Sequence, residues 1–208
     1  VIADCACKNN QVYDEWIVRD QGAMVRQIGF TPKEFAKKII EREGGLLNAS
    51  KLYDFESDAC SDYEPEGYKI GSKAEKYTKV LNSIFYENYD FNDYDRAANI
   101  FWPGNQIGHG REDIIKKWNT IKEIFSNIKF TIEHVGFLDD TNQNSKVSIR
   151  WFLEGVHTNE SLAYGKASKK NIFIMGINHA EFYSNTIIRE WVLFDEVAIW
   201  KQILLNHG

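Results

Sequence analysis

Cysteine is scarce in this chain of 208 residues. There are three, Cys5, Cys7 and Cys60, an odd number with a single residue between the first two. Such a set does not make a disulfide framework, and a reducing, cytoplasmic setting is the expectation. No second Cys/His pair at ligand spacing accompanies Cys5 and Cys7, so neither metal nor cofactor is expected. Apolar runs of the ~18–20 residues needed to cross a bilayer are missing too, which argues against a membrane partner. Positive charge is not in excess: 25 Lys and Arg stand against 30 Asp and Glu, for a net charge of -5. With both signs interspersed there is no basic footprint for nucleic acid. The first residues carry no basic stretch followed by an apolar one, so no signal peptide is read. Motifs that would announce chemistry are lacking as well: no GxSxG, no phosphate-binding glycine loop and no HExxH.

The content that remains is that of a folded protein with a large core. Hydrophobic residues make up 43% and aromatic residues 14%, with six Trp and thirteen Phe. The length suits one large domain, or one domain and an appendage.

An internal repeat bears on this choice. Shifting the chain by 175 residues, the distance from Asp20 to Asp195, lays its first twenty-eight residues on its last thirty-odd without a gap. Ile2, Asn10, Glu15, Trp16, Asp20, Ala23, Gln27 and Ile28 then coincide with Ile177, Asn185, Glu190, Trp191, Asp195, Ala198, Gln202 and Ile203. Residues 1–30 are therefore expected to be the last hairpin and helix of a preceding domain, and residues 2–18 to copy the shape of the C-terminal hairpin. Residues 31–71 are read as a helix and a linker, and 72–208 as one complete domain. The rival reading is a single domain with two similar hairpin-helix units.

Patterning fills in the elements. Thr31-Pro32-Lys33-Glu34 has the form of a capping box with proline in the first turn, and Ser72 with Glu75 has the same form. Tyr77, Val80, Leu81, Ile84 and Phe85 recur at helical spacing. A short helix is predicted over Asp93 to Ile100, and another from Arg111 to Phe125. From about residue 127 the period changes from 3.6 to 2, which predicts strands at 128–138, 146–157, 171–182 and 186–194 before a closing helix from Asp195. Helices followed by an antiparallel meander give an α+β order, a curved sheet wrapped around the preceding helices.

Four segments carry a resemblance. HGREDI at 109–114, FTIEHVGF at 130–137, SIRWFLEGVHTNE at 148–160 and REWVLFDEVAIWKQI at 189–203 resemble successive signatures of the SnoaL-like polyketide cyclases, within the nuclear transport factor 2-like superfamily. DEWIVRDQGAMVRQIG at 14–29 resembles the last of them. The resemblance implies a cone-shaped fold with a pocket between sheet and helices, used for aldol ring closure without metal or cofactor. It also implies a histidine in the penultimate strand, matched by His179, and an acid just after the tryptophan of the last strand. That second position is Val192, which cannot move a proton, so the nearest carboxylate that could replace it is Glu190.

A two-residue turn at Ser184-Asn185 would set His179 opposite Glu190, and directly opposite residues point to the same face. Met175, Ile177 and His179 would then share the pocket face with Ile188, Glu190 and Val192. His179 and Glu190 are the expected catalytic pair. Trp102, Tyr86, His109, Trp151, Met175, Ile177 and Val192 are the expected ligand contacts for a small, largely apolar carbonyl compound. Asp195, at a strand-to-helix junction, reads better as a helix cap than as an acid. The competing reading is a non-catalytic ligand-binding or oligomerisation module of the same fold, paired as a homodimer or with the preceding domain. A closed cone whose polar groups are all paired favours the module; an open one with His179 and a carboxylate converging favours an enzyme.

Overall fold

A computed structural model describes residues 1–50, 72–139 and 142–205. Residues 51–71 of the expected linker, Cys60 among them, and the turn at Asp140 lie outside the described residues. The chain opens with a β-hairpin, β1 (Ile2–Lys8) and β2 (Gln11–Val18), followed by α1 (Gln21–Gln27) and α2 (Pro32–Arg42). Asn9 and Asn10 make the turn, both at positive φ, a conformation that asparagine tolerates. Asp20 caps α1, accepting from the Ala23 amide. Thr31 and Glu34 complete a capping box at α2.

The main body runs through α3 (Lys73–Tyr86), β3 (Tyr94–Trp102), β4 (Gln106–His109), α4 (Gly110–Ile124), β5 (Phe125–Leu138), β6 (Ser145–His157), β7 (Asn171–Tyr183), β8 (Thr186–Phe194) and α5 (Glu196–Leu205). Its six strands form one sheet in the order β4-β3-β8-β7-β6-β5. The architecture is α+β, as the sequence predicts. The segment read as a short helix at 93–100 is instead β3, whose buried positions Tyr94, Ala98, Ile100 and Trp102 alternate with more open ones. It pairs in parallel with β8 and antiparallel with β4, so the sheet is mixed at that junction. Helices α3 and α4 bury Tyr77, Leu81, Ile84, Phe85, Ile114, Trp118 and Ile121 against it. No helix among the described residues is long and apolar enough to cross a membrane.

The two hairpins share a register residue for residue. Ile2 faces Val18 as Ile177 faces Leu193, Asp4 faces Trp16 as His179 faces Trp191, and Cys5 faces Glu15 as Ala180 faces Glu190. Each has a bulge at the same place, between Ala6 and Cys7 in one and between Glu181 and Phe182 in the other. The extra residue is Tyr13 in the first copy and Ile188 in the second.

Hairpin β1–β2 lies on the outer face of the large sheet. Val18, Ile177 and Leu193 form a small apolar cluster there with Ile2 and Met175. Arg150 donates from Nε to Asp4 at 2.8 Å, and its guanidinium lies 3.9 Å from the Trp16 ring centre. His134 Nδ1 is 2.8 Å from the same carboxylate. Asp20 also accepts from the Gly104 and Asn105 amides of the β3–β4 turn, and Arg26 forms a two-point ion pair with Glu196.

Candidate functional site

Glu190 stands on β8, flanked by β3 and β7 and covered by α3 and α4. Each of these four elements supplies one donor. Tyr77 Oη of α3 donates to Oε1 at 2.5 Å, and Asn178 Nδ2 of β7 donates to the same atom at 3.1 Å. Oε2 accepts from Tyr94 Oη of β3 at 3.0 Å and from Trp118 Nε1 of α4 at 3.3 Å. A carboxylate has about four lone-pair sites, and all four are taken. The network extends outward: Asn178 Nδ2 also reaches Tyr77 Oη, and Asn178 Oδ1 accepts from Trp151 Nε1 at 2.8 Å.

The site is dry. Glu190, Tyr77, Tyr94, Trp118 and Asn178 have 0% of their surface open to water. Around them six rings close a circuit: Trp102 meets Trp118, which meets Phe85, then Phe130, Trp151, Phe194 and Trp102 again. Centroid separations run from 4.3 to 6.4 Å. Gly176 permits the approach of Trp151, since a β-carbon there would come within 2.0 Å of the indole.

Burial raises the Glu190 carboxyl from 4.5 to about 6, with its four hydrogen bonds pulling the other way. The folded state thus holds its proton more tightly than the unfolded state. This contribution to stability is present in full below pH 4.5 and is lost as pH rises through 6, a fall of about 2 kcal/mol. Asp195, also raised to about 6 by burial, acts with the same sign. In urea denaturation at pH 4.5 and pH 7, the difference between wild type and Glu190→Gln should therefore change by about 2 kcal/mol. An unchanged difference would mean that Glu190 does not titrate in this window.

The structure separates the expected catalytic pair. Beyond the bulge at Ile188, His179 faces Trp191 and not Glu190. Glu190 and Val192 point into the cone with Ala180 and Asn178, whereas His179, Ile177 and Met175 turn to the outer face, because one inserted residue reverses a strand's facing. His179 is partly buried there, and desolvation lowers its pKa. Of the expected ligand contacts, Trp102, Trp151 and Val192 are cone residues; Ile177 and Met175 pack under the N-terminal hairpin. Tyr86 is 56% exposed, its hydroxyl bonded to the Phe130 backbone. His109 is exposed beside Asn99. Asp195 caps α5 through the Val197 and Ala198 amides. Sequence reasoning missed all four partners of Glu190, reading Tyr77 only as part of a helix face; the one signal was an asparagine inside the apolar run IMGINHA. No group of three His, Cys, Asp or Glu that could hold a metal occurs among the described residues.

Solved structures share this arrangement of helices and sheet. A protein from Jannaschia sp. CCS1, assigned to the SnoaL-like polyketide cyclases, superposes with a TM-score of 0.51 at 14% identity, over 66% of this chain and 97% of its own. IdmH of Streptomyces antibioticus, assigned as a polyketide cyclase, gives 0.51 at 13% identity over 64% and 98%. A SnoaL-like polyketide cyclase from Agrobacterium tumefaciens strain C58 gives 0.50 at 16% over 64% and 98%. The fold is that of the SnoaL-like polyketide cyclases. At these identities the likeness concerns the fold, and no family model and no curated protein matches the sequence.

Proposed function

We propose that this SnoaL-like chain is a non-catalytic pairing module, in which the centre of the cone is packed for stability and the outer face of the sheet serves as a docking surface. The observation that carries this reading is the saturation of Glu190. A general base needs a free lone pair within reach of a substrate proton, and this carboxylate has four donors and no access to water. Val192 offers no acid in its place, and His179 lies on the other side of the sheet. That outer face is where β1–β2 docks through apolar contacts and the Asp4–Arg150 pair. The repeat and the shared bulge support reading residues 1–30 as the end of a preceding cone.

The test is a screen of small apolar ketones and aldehydes by ligand-observed NMR and by turnover, run on wild type, Glu190→Gln and His179→Ala. The expected result is neither saturable binding nor turnover in the cone. A compound converted by wild type and not by Glu190→Gln, with that variant still folded, would reinstate the cyclase-like reading.

A further inference from the structure

One face of the N-terminal hairpin is exposed although its counterpart in the C-terminal hairpin is buried. Shifted by 175 residues, Ala3, Cys5, Cys7, Val12 and Glu15 fall on Asn178, Ala180, Phe182, Ile187 and Glu190. Those five counterparts are no more than 1% exposed and line the cone. In the hairpin all five positions are open to water. Glu15 has the place of Glu190 without its phenols and indole; the Cys5 thiol, a weak donor, reaches it at 3.5 Å.

The opposite face of the hairpin is already satisfied, and in a particular way. Ile2 is the counterpart of Ile177, and Val18 of Leu193, and these four meet in one cluster. Contacts between equivalent positions are what a two-fold arrangement of two like domains generates. α1 also packs against its counterpart α5. The hairpin thus sits where the last strands of a second cone would sit if two cones paired back to back.

We infer that the exposed face of β1–β2 is the inner wall of a second cone, and that it binds the remaining elements of such a domain. The occupant is a set of helices and strands like residues 72–176, which brings hydroxyl and indole donors to Glu15 as Tyr77, Tyr94 and Trp118 bring them to Glu190. Complementarity argues for this occupant: the face combines apolar positions with one carboxylate, and the body of this chain holds the donor set that such a face requires. In the same arrangement Asp195 accepts the amides of the occupant's own Gly-Asn turn, as Asp20 accepts those of Gly104 and Asn105.

The inference rests on the pairing role proposed above, and the experiment separates the two. Residues 72–176 are joined ahead of Ile2 in the full chain, with Cys60→Ser so that Cys5 and Cys7 are the reactive thiols; the added segment contains no cysteine. In the 208-residue chain both thiols are exposed and should be open to iodoacetamide, Cys5 reacting more slowly than an unperturbed thiol because desolvation and the Glu15 carboxylate beside it raise its pKa. In the extended chain their labelling should slow by about 100-fold or more, because reaction then requires the second cone to open. A second extended chain carries Ala3→Asn, which restores the amide that Asn178 gives to Glu190. Slow labelling in either supports the inference, and fast labelling in both overturns it. Docking of the hairpin is read independently from hydrogen exchange at Gly104 and Asn105 in the 208-residue chain. If those amides are slow while the thiols stay reactive, the pairing role stands and the second cone does not; if they exchange freely, the pairing role itself falls.

Discussion

Replacing Glu190 with alanine is expected to cost about 5 kcal/mol, a loss comparable to the whole stability of many domains. The reason lies in what is left behind. Tyr77, Tyr94, Trp118 and Asn178 each donate to this carboxylate inside a region closed to water. A buried donor deprived of its acceptor costs about 1–3 kcal/mol, and relief from burying a charge offsets only part of four such penalties. Urea denaturation followed by far-UV circular dichroism measures the effect. Glutamine should be milder, since it keeps one acceptor oxygen and much of the packing. A loss below about 2 kcal/mol for alanine would show that the four donors find other partners, and the network would then not be the centre of the fold.

The second large effect concerns the outer face. Arg150→Ala is expected to cost about 3 kcal/mol and to free the N-terminal hairpin while the cone stays folded. Arg150 is 5% exposed, bonds Asp4 and covers the Trp16 ring, so its removal strands a largely buried carboxylate and uncovers an indole. His134 still holds Asp4, which limits the loss. Hydrogen exchange at residues 2–18 should rise steeply while the amides of β7 and β8 remain protected. A hairpin that stays protected in this variant would show that the apolar contacts of Ile2 and Val18 suffice to dock it.

Much of this architecture was legible because strong local signals agree with the fold. Thr31 with Glu34, and Ser72, mark helix starts, and the period change at about residue 127 marks the sheet, whose strand β5 begins at Phe125. The repeat carried further than any motif, because it paired hairpin with hairpin and Asp20 with Asp195, and both aspartates cap helices. The strand β3 was not legible: Ala97, Ala98 and Asp93 suit a helix, and pairing with β4 and with β8, the latter far along the chain, makes the segment extended. Nor was the bulge, for Ile187-Ile188 contains neither glycine nor any other local mark of an extra residue. The turn at Ser184-Asn185 was read correctly, and its register holds as far as Phe182 and Ile187. One residue later the facing reverses, which leaves Glu190 in the pocket and turns His179 to the outer surface. The carboxylate lies in the cone, and its companions come from α3, α4, β3 and β7.

The circuit of rings gives the protein an optical signature. Trp102 and Trp118 lie 5.2 Å apart at 87°, and Trp151 belongs to the same closed chain of aromatic contacts. Indoles so close and so buried are expected to share excitation and to emit together at short wavelength. Trp16 stands apart beneath the Arg150 guanidinium, and Trp191 is stacked on Phe101 on the outer side of the sheet. Five of the six indoles thus divide into an interior group and an outer one, with Trp200 apart on α5 against Tyr164, and the colour of the emission is expected to distinguish loss of the core from release of the hairpin.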